Sequence, residues 1–446
     1  MSLCVVELND IDVCVSDGVA LRLHSPGYAL LGSDSLEIGE AARAKARLNP
    51  RQTNSHFWTR LGTDPLPNPA GHARHYADLA FAHLNHLHES ANRPEEILFA
   101  VPGSFSREQL SILLGVAQRC PFRAVGLVDS AVAAATDVAF SARAIHVDLQ
   151  LHQSVLTRLS RDAGTVAREA VEVLPGTGWV QLLERWARML TEGFIRQSRF
   201  DPLHTAQSEQ QLYDRMPGWL LALQQQSDVQ AELVNAGVSH HAKLRANDFV
   251  RAAQPLYTQI VDAAHRFGEG APLLLSHRLA ALPRTGDLLT GCIPLREGAV
   301  VSGCLQHIDL IRSDEGALRF VTRLPAGASI TQGVEPGGGE AAPAAPDPTH
   351  VLTAARALRL RAPRLYLRRS DHDGWRLSTD STAPYSCSIF REGGNWWLLA
   401  ASDARIELNG KDVETPAPVG TGDRFRIGKG GDAEFHLIAE VDDDGP

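Results

Sequence analysis

Cysteine is sparse in this chain of 446 residues: six in all, at Cys4, Cys14, Cys120, Cys292, Cys304 and Cys387, with no Cys-X-X-Cys pair. That excludes a disulfide scaffold, and a reducing, cytoplasmic setting is expected. Positive charge is in deficit, 43 Lys and Arg against 52 Asp and Glu, for a net charge of −9. A dedicated nucleic-acid binder is normally basic, so nucleic acid is not expected as a partner. No apolar run reaches the roughly 18 residues of a membrane span, so no membrane insertion is expected. The opening MSLCVVELNDIDVCV lacks a basic stretch followed by a long apolar core, so no signal peptide is expected either. P-loop, Gly-X-Ser-X-Gly and His-Glu-X-X-His signatures are missing, which removes those nucleotide-binding and hydrolytic chemistries. What is present, 44% hydrophobic and 21% charged residues, is enough to build cores in two or three domains.

The sharpest compositional break is PAGASITQGVEPGGGEAAPAAPDPTH, residues 325–350, rich in Gly, Pro and Ala. Such a stretch buries too little apolar surface to offset its conformational entropy, and it reads as a flexible linker. Three parts follow: 1–324, the linker 325–350, and 351–446. In the first part, strand patterns at 4–8, 12–15, 96–101, 123–128, 144–148, 154–159 and 273–276 alternate with helical patterns at 73–90, 107–118, 130–138, 180–196 and 248–267. That alternation predicts α/β layers. Beyond the linker, short strands are separated by turn pairs such as Asp373-Gly374 and Asn409-Gly410, and an all-β sandwich is expected.

The order of segments in 1–324 resembles the nucleotide-binding domain of DnaK-type heat-shock chaperones, in the actin-like ATPase superfamily. The resemblance is carried by EIGEAARAKARLNPRQTNSHFWTRLG (37–62), ILFAVPGSFSREQLSILLGVAQRC (97–120), VGLVDSAVAAATDVA (125–139) and NDFVRAAQPLYTQIVDAA (247–264). It implies a two-lobed fold in which two β-hairpins cradle ATP phosphates through backbone N–H groups. At the elements that touch nucleotide, this chain departs from the family. The first hairpin, Asp-Leu-Gly-Thr-Thr in the family, is Glu7-Leu8-Asn9-Asp10-Ile11 here. The second, Asp-Leu-Gly-Gly-Gly-Thr, is Asp148-Leu149-Gln150-Leu151-His152-Gln153. The connecting Glu is Asp129, the family's lysine has no counterpart after Gly62, and the adenosine turn Gly-Gly-Ser is Ser276-His277-Arg278. Side chains stand where glycines must let backbone approach phosphate, and a carboxylate at Asp10 repels it. The expectation is a pseudo-ATPase: no enzyme, no catalytic residue, no cofactor, with weak ATP and magnesium binding left open.

The segment 351–446 resembles a forkhead-associated (FHA) domain, through SIFREGGNWWLL (388–399), IELNGKDV (406–413), PVGTGDRFRIG (418–428) and FHLIAEV (435–441). The family's Ser-Arg-X-His stretch aligns with Ala383-Pro384-Tyr385-Ser386, so its phosphate-binding groups are replaced. Candidate partner-surface residues are Arg368, Arg369, Ser386, Trp396 and Asn409. Of the adjacent Trp396 and Trp397, one must face the core and the other outward.

His72, His75, His83 and His86 fall along one stripe of the 73–90 helix, without the carboxylate or cysteine pattern of a metal site; a polar helix flank is the expectation. The functional expectation is a cytoplasmic scaffold or assembly factor, chaperone-like in architecture, that binds protein partners through its FHA-like module and the actin-like body. The alternatives are a divergent ATP-dependent chaperone and a phosphothreonine-binding adaptor.

Overall fold

A computed structural model describes residues 2–326 except 20, 34, 72, 269, 283–291 and 314–317. Beyond these it describes 348–352, 357–360, 364–370, 374–378, 385–392, 395–401, 406–408, 411–413, 416–420, 423–427 and 434–438. His72, Asn409, the acidic triplet 442–444 and nearly all of the expected linker lie outside the described residues. The chain divides into two compact units, Met1–Gly333 and Val334–Pro446.

The first unit is mixed α/β and repeats one sheet plan. Strands β1 (Leu3–Glu7), β2 (Val13–Ser16) and β3 (Leu21–Ser25) form an antiparallel meander, and β4 (Glu96–Val101) and β5 (Arg123–Asp129) run parallel to β1, giving the order β3-β2-β1-β4-β5. The same plan recurs as β8-β7-β6-β9-β10, from β6 (Arg143–Leu149), β7 (Gln153–Asp162), β8 (Thr165–Pro175), β9 (Leu273–Leu275) and β10 (Ile293–Pro294). All six residues of β4 are buried, as a central strand covered on both faces requires. A short return segment ties the sheets together: Phe320–Val321 extends the first beside β5, and Arg323–Pro325 pairs with β8 of the second. Pro325 therefore belongs to a ladder, and Ala326 donates its N–H to the Gly164 carbonyl at 2.7 Å. The boundary expected at 325 moves past 326, because backbone pairing holds residues that composition alone assigned to a linker.

Helices complete the layers. Helices α1 (Tyr76–Ser90) and α2 (Arg107–Ala117) cover the outer face of the first sheet. Residues 73–75 form a strand (Ala73–His75) paired to Pro65–Ala70, so the helix expected from 73 starts three residues later. His83 on α1 is interior: its Nδ1 accepts from Trp58 Nε1 at 3.0 Å, and its Nε2 meets Ser25 Oγ at 2.9 Å. Burial lowers its pKa to about 3, so it is a neutral core histidine and not part of a polar flank.

Helix α3 (Ser130–Ala135) is buried throughout and capped by Asp129, whose Oδ1 accepts from the N–H groups of Ala131 and Val132. It shares a core between the two sheets with a later helix, Ala299–Gln306. The far face of the second sheet is covered by α4 (Trp179–Ser198), α5 (Ala206–Gln225) and α6 (Ala246–Gly268). On α4, Trp186, Leu190 and Phe194 are fully buried at four-residue spacing, the stripe an amphipathic helix buries. Helix α7 (His277–Ala280) follows β9, and α8 is the Ala299–Gln306 helix.

The second unit has two antiparallel sheets. One contains β11 (His350–Leu352), β12 (Ala357–Arg359), β17 (Ile406–Leu408), β18 (Lys411–Val413), β20 (Arg424–Ile427) and β21 (Glu434–Ile438). The other contains β13 (Arg364–Ser370), β14 (Gly374–Ser378), β15 (Cys387–Glu392), β16 (Asn395–Ala400) and β19 (Ala417–Val419). Inward residues of both, among them Val351, Leu367, Ile389, Leu398, Phe425 and Leu437, form one core. His350 is thus a strand residue and not the end of a linker.

Small residues let α3 and α8 approach closely. A Cβ at Gly303 would lie 2.0 Å from the Ala133 carbonyl oxygen, so Gly303→Ala must push the helices apart. We expect a loss of about 1–3 kcal/mol or more in denaturant unfolding. Gly115 is exposed on α2 with nothing within 4 Å of such a Cβ, and Gly115→Ala is expected to gain about 0.5–1 kcal/mol in the same assay.

Candidate functional site

The duplicated plan places the β1–β2 turn and the β6–β7 turn at corresponding positions, and the two turns meet. Asn9 reaches across with its amide, donating from Nδ2 to Asp148 Oδ2 at 3.0 Å and to the Leu149 carbonyl at 2.9 Å. Its Oδ1 accepts the Ile11 N–H at 3.0 Å. Asp10 does the converse: its Oδ1 accepts the Leu151 N–H at 2.7 Å. The side chains of one turn thus bind the backbone of the other, and Asn9, Asp10 and Asp148 are all buried.

Further donors at the second turn are also spent within the protein. The Gln150 N–H bonds the Gln153 carbonyl, and the first N–H groups of α4 go to the turn itself, from Trp179 to the Gln150 carbonyl at 2.8 Å and from Val180 to the Leu151 carbonyl at 2.9 Å. An uncapped helix start is an anion site when its N–H groups point at empty space; these do not. Gly178 makes the contact possible, since a Cβ there would meet the backbone of residues 151–153 at 2.4–2.5 Å. Gln153 Nε2 donates to Gln150 Oε1 at 2.8 Å. His152 turns aside, its Nε2 hydrogen-bonded to Ser55 and its ring stacked on His56 at 3.6 Å.

Beside the turns lies a buried ion pair. Arg278, on α7, donates from Nη1 to Glu7 Oε1 at 2.6 Å and from Nη2 to the Asp12 carbonyl at 3.1 Å. Both side chains are 7% exposed. Burial works against the Glu7 charge, but the guanidinium outweighs it and holds the Glu7 pKa below its ordinary value. Asp10 has no such partner. Burial, opposed by the Leu151 hydrogen bond and reinforced by the Asp148 charge, lifts its pKa to about 7. Its Oδ2 is buried without a hydrogen bond. Burial likewise raises Asp148, with Arg278 opposing.

Of the residues expected at a nucleotide cleft, Asn9 bonds Asp148, Asp10 bonds the turn that carries Gln150, and Glu7 pairs with Arg278. Ser276 joins through its N–H to the Val147 carbonyl, and His277 neighbours Arg278. Asp129 is engaged elsewhere, capping α3 and pairing through Oδ2 with Arg168 Nη1 at 2.9 Å. The sequence signalled neither Arg168 nor the role of Arg278 as counter-ion to Glu7, whose partner lies 271 residues away.

The space left over is small where the turns meet. The cavity bordered by Asp10, Trp58, Pro102 and Gln150 is about 90 Å³, below the roughly 300–1,000 Å³ of ligand pockets. A larger, open pocket of about 710 Å³ is lined by the Glu7–Arg278 pair itself, together with His24, His277, Val301 and Leu305. Among the described residues, no group of three or more His, Cys, Asp or Glu side chains could hold a metal ion, and no helix is long and apolar enough to cross a membrane.

In the second unit, Trp396 is 6% exposed and packs in the core, so it cannot belong to a partner surface; strand alternation turns Trp397 outward instead. Arg368 and Arg369 lie on β13, and Ser386 donates its N–H to the Leu367 carbonyl just before β15. The side chain of Arg369 is outside the described residues. No protein-family model matches the chain, and no curated protein matches it.

Two predictions follow from the buried charges. Arg278→Ala strands Glu7 as an uncompensated buried charge and is expected to cost about 3–5 kcal/mol by thermal or denaturant unfolding. Replacing both partners by leucine is expected to cost distinctly less; equal losses would mean that the pair contributes only packing. Asp10→Asn keeps the acceptor for Leu151 and removes the titration. An acid raised from 3.8 to about 7 binds its proton more tightly folded than unfolded, so its contribution is fullest below pH 4 and is lost as pH rises toward 7. The stability of Asp10→Asn relative to the parent should therefore climb between about pH 4 and pH 7 and level off above about pH 8, where the Asp10 carboxylate is fully ionised.

Proposed function

We propose that the first unit is an actin-like, DnaK-type body that has lost its nucleotide and works as a scaffold, with the second unit as its FHA-like protein-interaction module. Support for the fold comes from the duplicated order of strands, a meander followed by parallel strands, with α3 and α8 between the two sheets. Support for the sandwich comes from two antiparallel sheets around one core.

The observation that carries the proposal is the hydrogen bond from the Leu151 N–H to Asp10, together with the Asn9 bridge to Asp148 and Leu149. In a working ATPase of this type the backbone donors of the second hairpin are kept for phosphate. Here a carboxylate of the first hairpin takes a donor, and a guanidinium meets the acid of β1 where a metal and its waters would be organised. The residues do not fit magnesium-ATP: entry of a triphosphate requires breaking buried hydrogen bonds and bringing its charge against Asp10 and Asp148. Without preorganised donors and cations aimed at the transferring phosphoryl group, the reaction loses its main source of acceleration. What remains is a rigid two-sheet body that presents surfaces to protein partners and keeps tethered clients at high effective concentration.

Isothermal titration of the full chain with ATP and magnesium is expected to give no heat of binding up to millimolar nucleotide, and a phosphate-release assay no turnover above buffer. Micromolar binding accompanied by hydrolysis would overturn the proposal in favour of a divergent ATP-dependent chaperone.

A further inference from the structure

The two halves of the first unit share a sheet plan but differ at one edge. On the second sheet, Arg323–Pro325 pairs antiparallel with β8, and Leu324, in register with Val166, is buried in the core that contains α3. On the first sheet the corresponding strand is β3, and among the described residues it pairs with β2 alone. It is five residues long and contains no proline. Such an edge offers a row of backbone N–H and C=O groups to a further strand. At the far end of the second sheet, by contrast, β10 has two residues, one of them Pro294, which cannot donate to a ladder.

The space beside β3 matches this difference. Helix α3 follows β5 and lies against β8 and the 323–325 strand; α8 holds the corresponding place after β10. Where the second sheet has a buried leucine, the first has the open pocket of about 710 Å³, lined by Cys14 and Ser16 of β2, His24 of β3, and Val301, Ser302 and Leu305 of α8. That volume is within the range of ligand pockets. A strand added to β3 sends alternate side chains to the face that carries His24, and so into the pocket. The charge left around it is negative. Arg278 is engaged by Glu7 and the Asp12 carbonyl, Arg296 donates to Ser302 Oγ at 2.8 Å, and His24 pairs with Asp12. Asp137 and Glu297 also line the pocket and are exposed, Glu297 with only a contact of 3.9 Å to His24.

We propose that β3 receives an extended segment of a partner protein as an added antiparallel strand. One aliphatic side chain of that segment fills the pocket, as Leu324 fills its site on β8, and a basic side chain two positions away meets Asp137 and Glu297. Main-chain bonds then supply affinity, and the pocket supplies selectivity. The inference rests on the scaffold reading only in requiring a partner and is independent of whether nucleotide binds. ATP titration and peptide binding therefore fail separately.

The test is fluorescence anisotropy of the full chain with a labelled Thr-Lys-Val-Leu-Val-Lys-Thr peptide, which places leucine and both lysines on one face. Saturable binding below millimolar peptide is expected, weakened at least about tenfold when the leucine is replaced by serine. Two N-methylated forms separate strand pairing from simple apolar contact: one methylated at both lysines and the leucine, the other at the two valines. Backbone N–H groups alternate between the two edges of a strand, so only one form should lose binding. Ser302→Trp, which fills the pocket, should also abolish it, and Gly115→Ala on α2 should leave it unchanged. The peptide variants keep the test valid if Ser302→Trp fails to fold. Absence of saturable binding, or equal binding by both methylated forms or by the serine peptide, would overturn the proposal. So would sedimentation showing that the parent chain pairs with a second copy and that Ser302→Trp makes it monomeric, since the edge would then belong to that copy.

Discussion

Two turns from two sheets meet in the interior of the first unit, where Asn9, Asp10 and Asp148 are buried and a backbone donor turned away from solvent must find an acceptor. The rest of the first unit is arranged around that requirement. Asn9 is long enough to reach Asp148 and the Leu149 carbonyl at once, and Asp10 to reach the Leu151 N–H, so neither turn is satisfied without the other. The first N–H groups of α4 close the back of the second turn, and Gly178 permits the approach. A hydrogen bond of this kind contributes only about 1 kcal/mol net, but leaving its partner unpaired costs more than its formation gains. The junction therefore resists opening more strongly than its modest gain suggests.

The charges follow the same logic with higher stakes. Glu7 is tolerable in the interior because Arg278 is there, and Arg278 is tolerable because Glu7 and the Asp12 carbonyl accept its hydrogens. Asp10 and Asp148 share the neighbourhood without a second cation at hydrogen-bond distance among the described contacts, and burial pushes both toward the neutral acid. One guanidinium among several carboxylates is what an interior can hold once the like charges give up part of their ionisation. It is a poor setting for a further polyanion, and this links the electrostatics to the proposed loss of nucleotide.

Much of the layer structure was legible in order and period. The fully apolar EILFAV, the all-small SAVAAA and the long amphipathic stretches near 180–198 and 246–268 lie where strands and helices form, because burial on both faces, close packing and a single buried stripe each leave a distinct pattern. The β14–β13 and β15–β16 hairpins of the second unit were legible for the same reason. Element ends were less so: Ala73–His75 reads as the start of a helix but pairs as a strand, and Arg323–Pro325 reads as linker but closes a sheet. In both, a distant ladder partner outweighs local propensity.

Sequence by itself determined that glycine is missing from both hairpin turns, that a carboxylate stands at position 10, and that an arginine stands at 278, since these are facts of composition at single positions. It also determined that one of Trp396 and Trp397 is buried, because a strand alternates. Only the tertiary structure decided which of the two, that Asp10 would bind Leu151, and that Arg278 would pair with Glu7. Those outcomes depend on sheet register and on contacts across 141 and 271 residues. Such contacts are set when whole layers pack, and no local pattern of residue types encodes them.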